Sequence, residues 1–244
     1  MTQAFDASLL IRKLETILVL SDDEKNALQS ICGTVKTLDA RQDIVREGDH
    51  PSACCLLLEG LLCRYKLTHD GKRQILSFHV PGDIPDLQSL HLDVMDHSMG
   101  TLARSKLVFL PHDTVRDLIG RCPRIGDAFW RETLIDASIF REWMVGLGRR
   151  EAYGRVAHLL CELYVRLRSV GLTNGHAYDL PLTQAELGDA LGISTVHVNR
   201  TLQDLRGERL ITLHAGSVAV LDWDRLKEAG EFDPTYLHLR KEAA

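Results

Sequence analysis

Four side chains between residues 182 and 211, Val196, Asn199, Arg200 and Gln203, share one side of a helical stretch, with Thr195 at its start. An Arg guanidinium pairs bidentately with a guanine edge in the major groove, Asn and Gln amides suit adenine, and an aliphatic methyl can meet the thymine methyl. Val198, Leu202 and Leu205, at i, i+4 and i+7, make the opposite side apolar and so decide which face turns inward. Taken alone, such a polar face is an ordinary solvated one. The elements around it favour base reading.

Thr183-x-x-Glu186 has the spacing of a capping box, which opens a first helix whose apolar side carries Leu187 and Leu191. Gly192 ends that helix, and Gly188 is small enough to let a second helix cross closely. Ser194 then caps the second helix, which is expected to run to about Arg206. Thr183, Gln184 and Ser194 stand at helix starts, where free N–H groups and short polar side chains favour phosphate; His197 fits a phosphate contact or plain exposure equally well. Residues 210–213 and 218–221 read as two short strands joined by the turn His214-Ala215-Gly216-Ser217. Two helices followed by a hairpin make a winged helix-turn-helix.

The chain here resembles the Crp/Fnr family of bacterial transcription regulators, and the likeness continues upstream. Residues 8–33 read as helical, with Ser21-x-x-Glu24 as another capping box. From about residue 35 to 110 short apolar runs (54–58, 61–67, 74–80, 107–110) alternate with turns at Glu47-Gly48-Asp49, Glu59-Gly60, His69-Asp70-Gly71 and Pro81-Gly82-Asp83. Such spacing predicts a small antiparallel barrel or roll. Arg46-Glu47-Gly48-Asp49, Leu57-Leu58-Glu59-Gly60 and Pro81-Gly82-Asp83 resemble the corners of a cyclic-nucleotide-binding roll. After Pro111 the period becomes helical: a short helix over 112–120, then a long one from Pro123 to about Leu147. The latter has apolar residues on more than one side and must be buried on more than one side. The expected fold is therefore α+β: an N-terminal antiparallel β-roll, jelly-roll-like (1–111), a linking and dimerisation helix (112–148), and a C-terminal winged helix-turn-helix (149–244). Phe129, Ile135, Ile139 and Trp143 are expected at the dimer interface, the heptad register being open. The tail 231–244 is polar and has no readable role.

Composition sets bounds. With 244 residues, 45% hydrophobic and 26% charged, the chain suits one large or two ordinary globular domains. It has neither an apolar run of membrane-spanning length nor an export signal at its start, so a cytoplasmic protein is expected. The net charge of −5 would not by itself suggest DNA binding. Basic residues concentrate just ahead of the helix-turn-helix, at Arg149, Arg150, Arg155, Arg166 and Arg168. No nucleophile elbow, phosphate-cradling glycine loop or H-E-x-x-H spacing is present, and enzymatic activity is not expected. The six cysteines form no C-x-x-C pair and read mostly as small buried hydrophobes.

The resemblance implies a homodimer on palindromic double-stranded DNA, with RNA polymerase as a partner and DNA binding modulated through the roll. In the family a Glu and an Arg four residues apart in the second helix usually read bases; here the Arg is Arg200, but Val196 takes the Glu position. Nucleotide-binding members use a Glu shortly after the Gly-Asp corner and an Arg before a Ser or Thr; here Leu87 and His97 stand there, in a pocket with Ile84, Asp86 and Ser98. Asp86 would repel a phosphate, so cAMP and cGMP are not the expected effectors. An N-terminal iron–sulfur cluster needs cysteines that the first fifty residues, with Cys32 alone, do not supply. Haem would need His79, His91 or His97 as an axial ligand, and thiol control would fall to Cys161 or Cys122; neither has further support in the residues, and the effector is left open. The alternative is a protein-interaction module whose winged helix docks a protein.

Overall fold

The computed structural model describes residues 2–240. A two-residue strand β1 (Gln3–Ala4) precedes helices α1 (Ser8–Glu15) and α2 (Asp22–Gln29). The helical stretch expected over 8–33 is thus two helices. Ser21 opens the second with its capping box formed in both directions, and residues from Cys32 onward are already strand. Strands β2 (Cys32–Leu38), β3 (Asp43–Val45), β4 (Ala53–Glu59), β5 (Leu62–Leu67), β6 (Arg73–His79), β7 (Ser98–Thr101) and β8 (Ser105–Pro111) complete the roll. They form two antiparallel sheets, ordered β1-β2-β8-β4 and β3-β7-β5-β6. Val45, Cys55, Leu57, Leu62, Met95, Met99 and Leu107 fill the space between them.

Helix α3 (His112–Arg121) leads into α4 (Pro123–Arg149), which Pro123 opens at its first turn. At 27 residues α4 is about 40 Å long. Its first half packs with α1, α2 and α3 on the outer face of β4 and β8, through Leu10, Leu14, Leu28, Leu56, Val108, Leu118, Ile125 and Phe129. Further along, Ile135 and Ile139 join a core that runs from β5 and β6 into α5 (Ala152–Ser169).

This changes the expected dimer face. Phe129, Ile135 and Ile139 are buried within the chain, and Trp143 packs edge-on against Phe78 at 5.6 Å between ring centroids. All four therefore serve the chain's own core, because α4 needs that side to sit on the roll and on α5. The apolar side chains that α4 leaves exposed are instead Trp130, Leu134, Met144, Val145 and Leu147.

Beyond α5 come β9 (Ala177–Asp179), α6 (Gln184–Leu191), α7 (Thr195–Gly207), β10 (Ile211–His214), β11 (Ser217–Val220) and α8 (Trp223–Ala229). The hairpin β10–β11 gains β9 as a third strand, Val218 pairing with Tyr178. Of the polar tail 231–244, for which the sequence offered no role, residues 241–244 lie outside the described residues, and 231–240 are structured. Phe232 and Leu237 are buried, and Pro234–Leu237 form a 3-10 turn.

Candidate nucleic-acid interface

Local rules place the two helices of the motif and the exposed face of the second. Thr183 accepts from the Glu186 N–H while Glu186 accepts from the Thr183 N–H, at 3.2 and 2.8 Å, so α6 starts where the sequence said. Gly192 closes it with φ +64°, a left-handed conformation that glycine adopts without strain. A Cβ on Gly188 would lie 2.7 Å from the Ile193 carbonyl oxygen. The close approach that requires glycine there is thus to the turn between the helices, not to the second helix. The Ser194 hydroxyl accepts from the His197 N–H at 3.3 Å and starts α7.

In α7 Val198, Leu202 and Leu205 are buried against α5 and α6, as their spacing demands. Thr195, Val196, His197, Arg200 and Gln203 are exposed, and Asn199 is half-buried. Thr183, Gln184 and Ser194 are exposed beside them. Val196 is 78% exposed, a high value for an aliphatic side chain that α7 could have turned inward. The Arg200 guanidinium makes no hydrogen bond or ion pair with any described residue. Eight of the nine candidate residues are thus exposed, and the ninth, Asn199, is half-buried.

The basic run ahead of the motif divides. Arg149 and Arg168 are exposed. Arg150 is held by Glu142, and Arg155 donates to the Leu191 and Arg150 carbonyls at 2.8 Å each. Arg166 is buried, bonded to Asp83 at 2.9 Å and Glu162 at 3.2 Å. Three of the five arginines hold helices and domains together and offer no charge to a phosphate backbone.

The roll's candidate pocket is also rearranged. A cavity of about 40 Å³ lies between the roll, α1, α4 and α5, lined by Lys13, Arg64, His79, Asp83, Glu132, Asp136 and Arg166 among others. Arg64, inward on β5, pairs with Asp136 of α4 and donates to the Pro85 carbonyl. Lys13 sits 3.0 Å from Asp83 and 3.4 Å from Glu132. Burial would raise the Asp83 carboxyl, but Lys13 and Arg166 hold it well below the usual carboxylate range. Burial, helped by the nearby Arg64 charge, lowers His79 to about 4, so this imidazole is neutral near pH 7.

Of the five pocket candidates, Ile84 and Leu87 line this cavity. Asp86 is buried and turned to the β4 backbone, where it accepts from the Cys55 N–H at 2.7 Å. Burial raises its carboxyl to about 7, so near neutral pH it carries only part of the negative charge expected of it. His97 bonds Asp96 at 2.7 Å, and the Ser98 hydroxyl accepts from the Glu47 N–H at 3.0 Å. The pocket does contain a cation, Arg64, which the argument from Leu87 and His97 missed; the alternation of Leu62, Arg64 and Lys66 in β5 was the signal that one arginine points inward.

A cyclic nucleotide does not fit these residues. The two arginines that line the cavity, Arg64 and Arg166, are both already paired, and pockets that hold ligands of that size run to roughly 300–1,000 Å³. Of the haem candidates, His79 lies 2.9 Å from the Ser77 hydroxyl, His97 is committed to Asp96, and His91 is exposed. Among the described residues no group of three or more His, Cys, Asp or Glu is placed to hold a metal ion. The Cys161 thiol is buried, and burial pushes it up to about 12, which leaves it protonated and unreactive. No helix among the described residues is long and apolar enough to cross a membrane.

A β-roll, a long helix and a winged helix-turn-helix with its polar face open define a DNA-binding regulator. The family model of the Crp-like helix-turn-helix domain matches residues 154–229, and that of the cyclic nucleotide-binding domain matches residues 35–122. The chain belongs to the Crp/Fnr family of transcription regulators. The transcriptional activator protein FnrL of Cereibacter sphaeroides is 27% identical over 221 residues, 86% of each chain. The fumarate and nitrate reduction regulatory protein of Vibrio cholerae is 22% identical over 209 residues, 86% of this chain and 83% of its own. In fold, FixK2 from Bradyrhizobium japonicum superposes with a TM-score of 0.72 at 23% identity, over 81% of this chain and 96% of that one.

Proposed function

We propose that two copies of this chain bind an inverted-repeat duplex, each laying α7 in a major groove, with successive grooves roughly 34 Å apart. Arg200 reads a guanine in each half-site, Asn199, Gln203 and Thr195 tune neighbouring bases, and Val196 meets a thymine methyl. Thr183, Gln184, Ser194 and His197 contact phosphates. One observation carries this reading. α7 buries its whole apolar side while Arg200 and its neighbours stay exposed, with the guanidinium unengaged by the chain itself.

The seam between copies runs along α4 through Trp130, Leu134, Ala137, Arg141, Met144 and Gly148. Their spacing alternates four and three residues, the period of a coiled-coil seam. Trp130, Leu134 and Met144 are 63%, 49% and 72% exposed on it. A signal reaching the roll would alter DNA binding through the contacts that dock the DNA-binding domain on it. These are Arg166 with Asp83, Arg73 of β6 with Asp189 of α6 at 2.8 Å, and Gln74 donating to the Ala190 carbonyl at 3.2 Å. RNA polymerase is the partner such a regulator would meet at a promoter.

Selection from random duplexes tests the proposal. The expected product is an inverted repeat whose affinity falls steeply with salt. Recovery of no preferred duplex, or of a single unrepeated site, would contradict it and would favour a winged helix that docks a protein.

A further inference from the structure

Glu162 is fully buried in the middle of α5, and three separate elements bring donors to its carboxylate. Arg166, one turn on, donates at 3.2 Å; the Trp143 indole N–H from α4 donates at 3.1 Å; and the Tyr236 hydroxyl from the C-terminal segment donates at 2.8 Å. Arg166 carries the connection onward to the roll, donating to the Phe78 carbonyl and to Asp83, both at 2.9 Å. One carboxylate thus ties together the roll, the long helix, the first helix of the DNA-binding domain and the chain's last described residues.

Those last residues cross between domains. Phe232 and Leu237 are buried in the core shared by α5, α6 and the roll. Tyr236 stacks on His158 of α5 at 5.8 Å between centroids, its hydroxyl 3.1 Å from the imidazole Nε2. The Arg240 backbone N–H then donates to the Thr16 carbonyl at 2.8 Å, and its guanidinium to the Glu15 carbonyl at 3.1 Å, both at the C-terminal end of α1. The segment leaves α8 in the DNA-binding domain, passes the α4–α5 junction and ends on the N-terminal helices.

We propose that residues 231–240 form a strap, knotted at Glu162 by Tyr236, that fixes the angle between α4 and the DNA-binding domain and so sets how far apart the two copies of α7 stand. Glu162 and Tyr236 are positioning residues, since neither lies on the reading face. The inference rests on the paired reading above. Its reasoning is mechanical: α4 and α5 are joined by a two-residue break at Arg150 and Glu151, both in extended conformation. Because those two residues are extended, the helix does not run on through the break. The angle between α4 and α5 is set by the contacts packed around it, among which the strap joins the docking contacts of Arg166, Arg73 and Gln74.

The test uses the full chain and Tyr236→Phe, which keeps the ring stack and removes the hydroxyl, together with Glu162→Gln. Affinity is measured on the selected inverted repeat and on versions with one base pair added or removed between half-sites. A strap predicts that the preference for the selected spacing, tenfold or more in the unaltered protein, falls at least threefold in Tyr236→Phe while the melting temperature and the base preference within each half-site are kept. A role confined to folding would weaken all spacings equally, and an unchanged spacing ratio in Tyr236→Phe would overturn the proposal whether or not Glu162→Gln folds. Amide exchange over residues 146–156 gives a reading without DNA. It should be at least tenfold faster in Tyr236→Phe, and unchanged exchange would overturn the strap. Should the unaltered protein select no duplex, the DNA reading fails while the exchange result alone still decides on the strap.

Discussion

Replacing Asp86 with asparagine isolates the cost of an ionisable group inside the roll. The carboxyl is 3% exposed and has the Cys55 N–H as its close donor, at 2.7 Å, which an asparagine oxygen can still accept from. Burial raises it from an ordinary 3.8 to about 7. Below about pH 4 it is protonated in both folded and unfolded chains and adds no pH dependence. Between about 4 and 7 the folded chain keeps a proton that the unfolded chain releases, so stability falls as pH rises and levels off above 7. Each pKa unit is worth about 1.4 kcal/mol, and because the folded carboxyl is itself half ionised near 7, about 2 kcal/mol is lost from the unaltered protein between pH 5 and pH 7 and about 3 kcal/mol by pH 8. Asp86→Asn carries no such slope. Urea unfolding of both proteins at one fixed chain concentration, at pH 5, 6, 7 and 8, should show the variant gaining about 3 kcal/mol on the parent between pH 5 and 8. A difference that stays flat across that range would mean Asp86 ionises as freely folded as unfolded, and the account of the roll's interior as dry at this point would be refuted.

Other perturbations address the domains and the seam. Asp83→Asn leaves Lys13 and Arg166 buried without their shared carboxylate and should cost about 3 kcal/mol in urea unfolding, with Arg166→Met adding less on that background than alone. Leu134→Glu places a charge on the exposed stripe of α4 and should convert dimer to monomer in sedimentation velocity without lowering helix content. Val196→Glu supplies an acceptor for cytosine N4 and should move preference toward cytosine at one position per half-site by about 1–3 kcal/mol, read by competition on single-base variants of the selected duplex.

The two helices of the motif and the exposed side of the second were legible because their determinants are local. A Thr and a Glu three residues apart, a Gly at the turn and a Ser before the next apolar repeat specify both helices of the motif without reference to the rest of the chain. The roll's corners were legible for the same reason. What escaped was set by tertiary partners. On α4 several residue sets are apolar, and only the positions of the roll and α5 determine that Phe129, Ile135, Ile139 and Trp143 turn inward while Trp130, Leu134 and Met144 stay out. Arg166 and Glu162 look like any i, i+4 pair on a helix surface, yet the roll covers them. Phe232 and Leu237 stand in a mostly polar tail that hid their burial, and Tyr236 beside them is half-buried. The third wing strand, Ala177–Asp179, is too short to show a period.

The central claim is that the exposed face of α7 enters two major grooves and that Arg200 touches guanine in each. Methylating guanine N7, which lies in the major groove, and asking which modified bases block binding tests it directly. The account predicts two symmetry-related guanines roughly one helical turn apart whose methylation blocks the unaltered protein, and no added effect of methylation at those guanines for Arg200→Ala. Interference at neither guanine, or the same pattern in Arg200→Ala as in the parent, would contradict it.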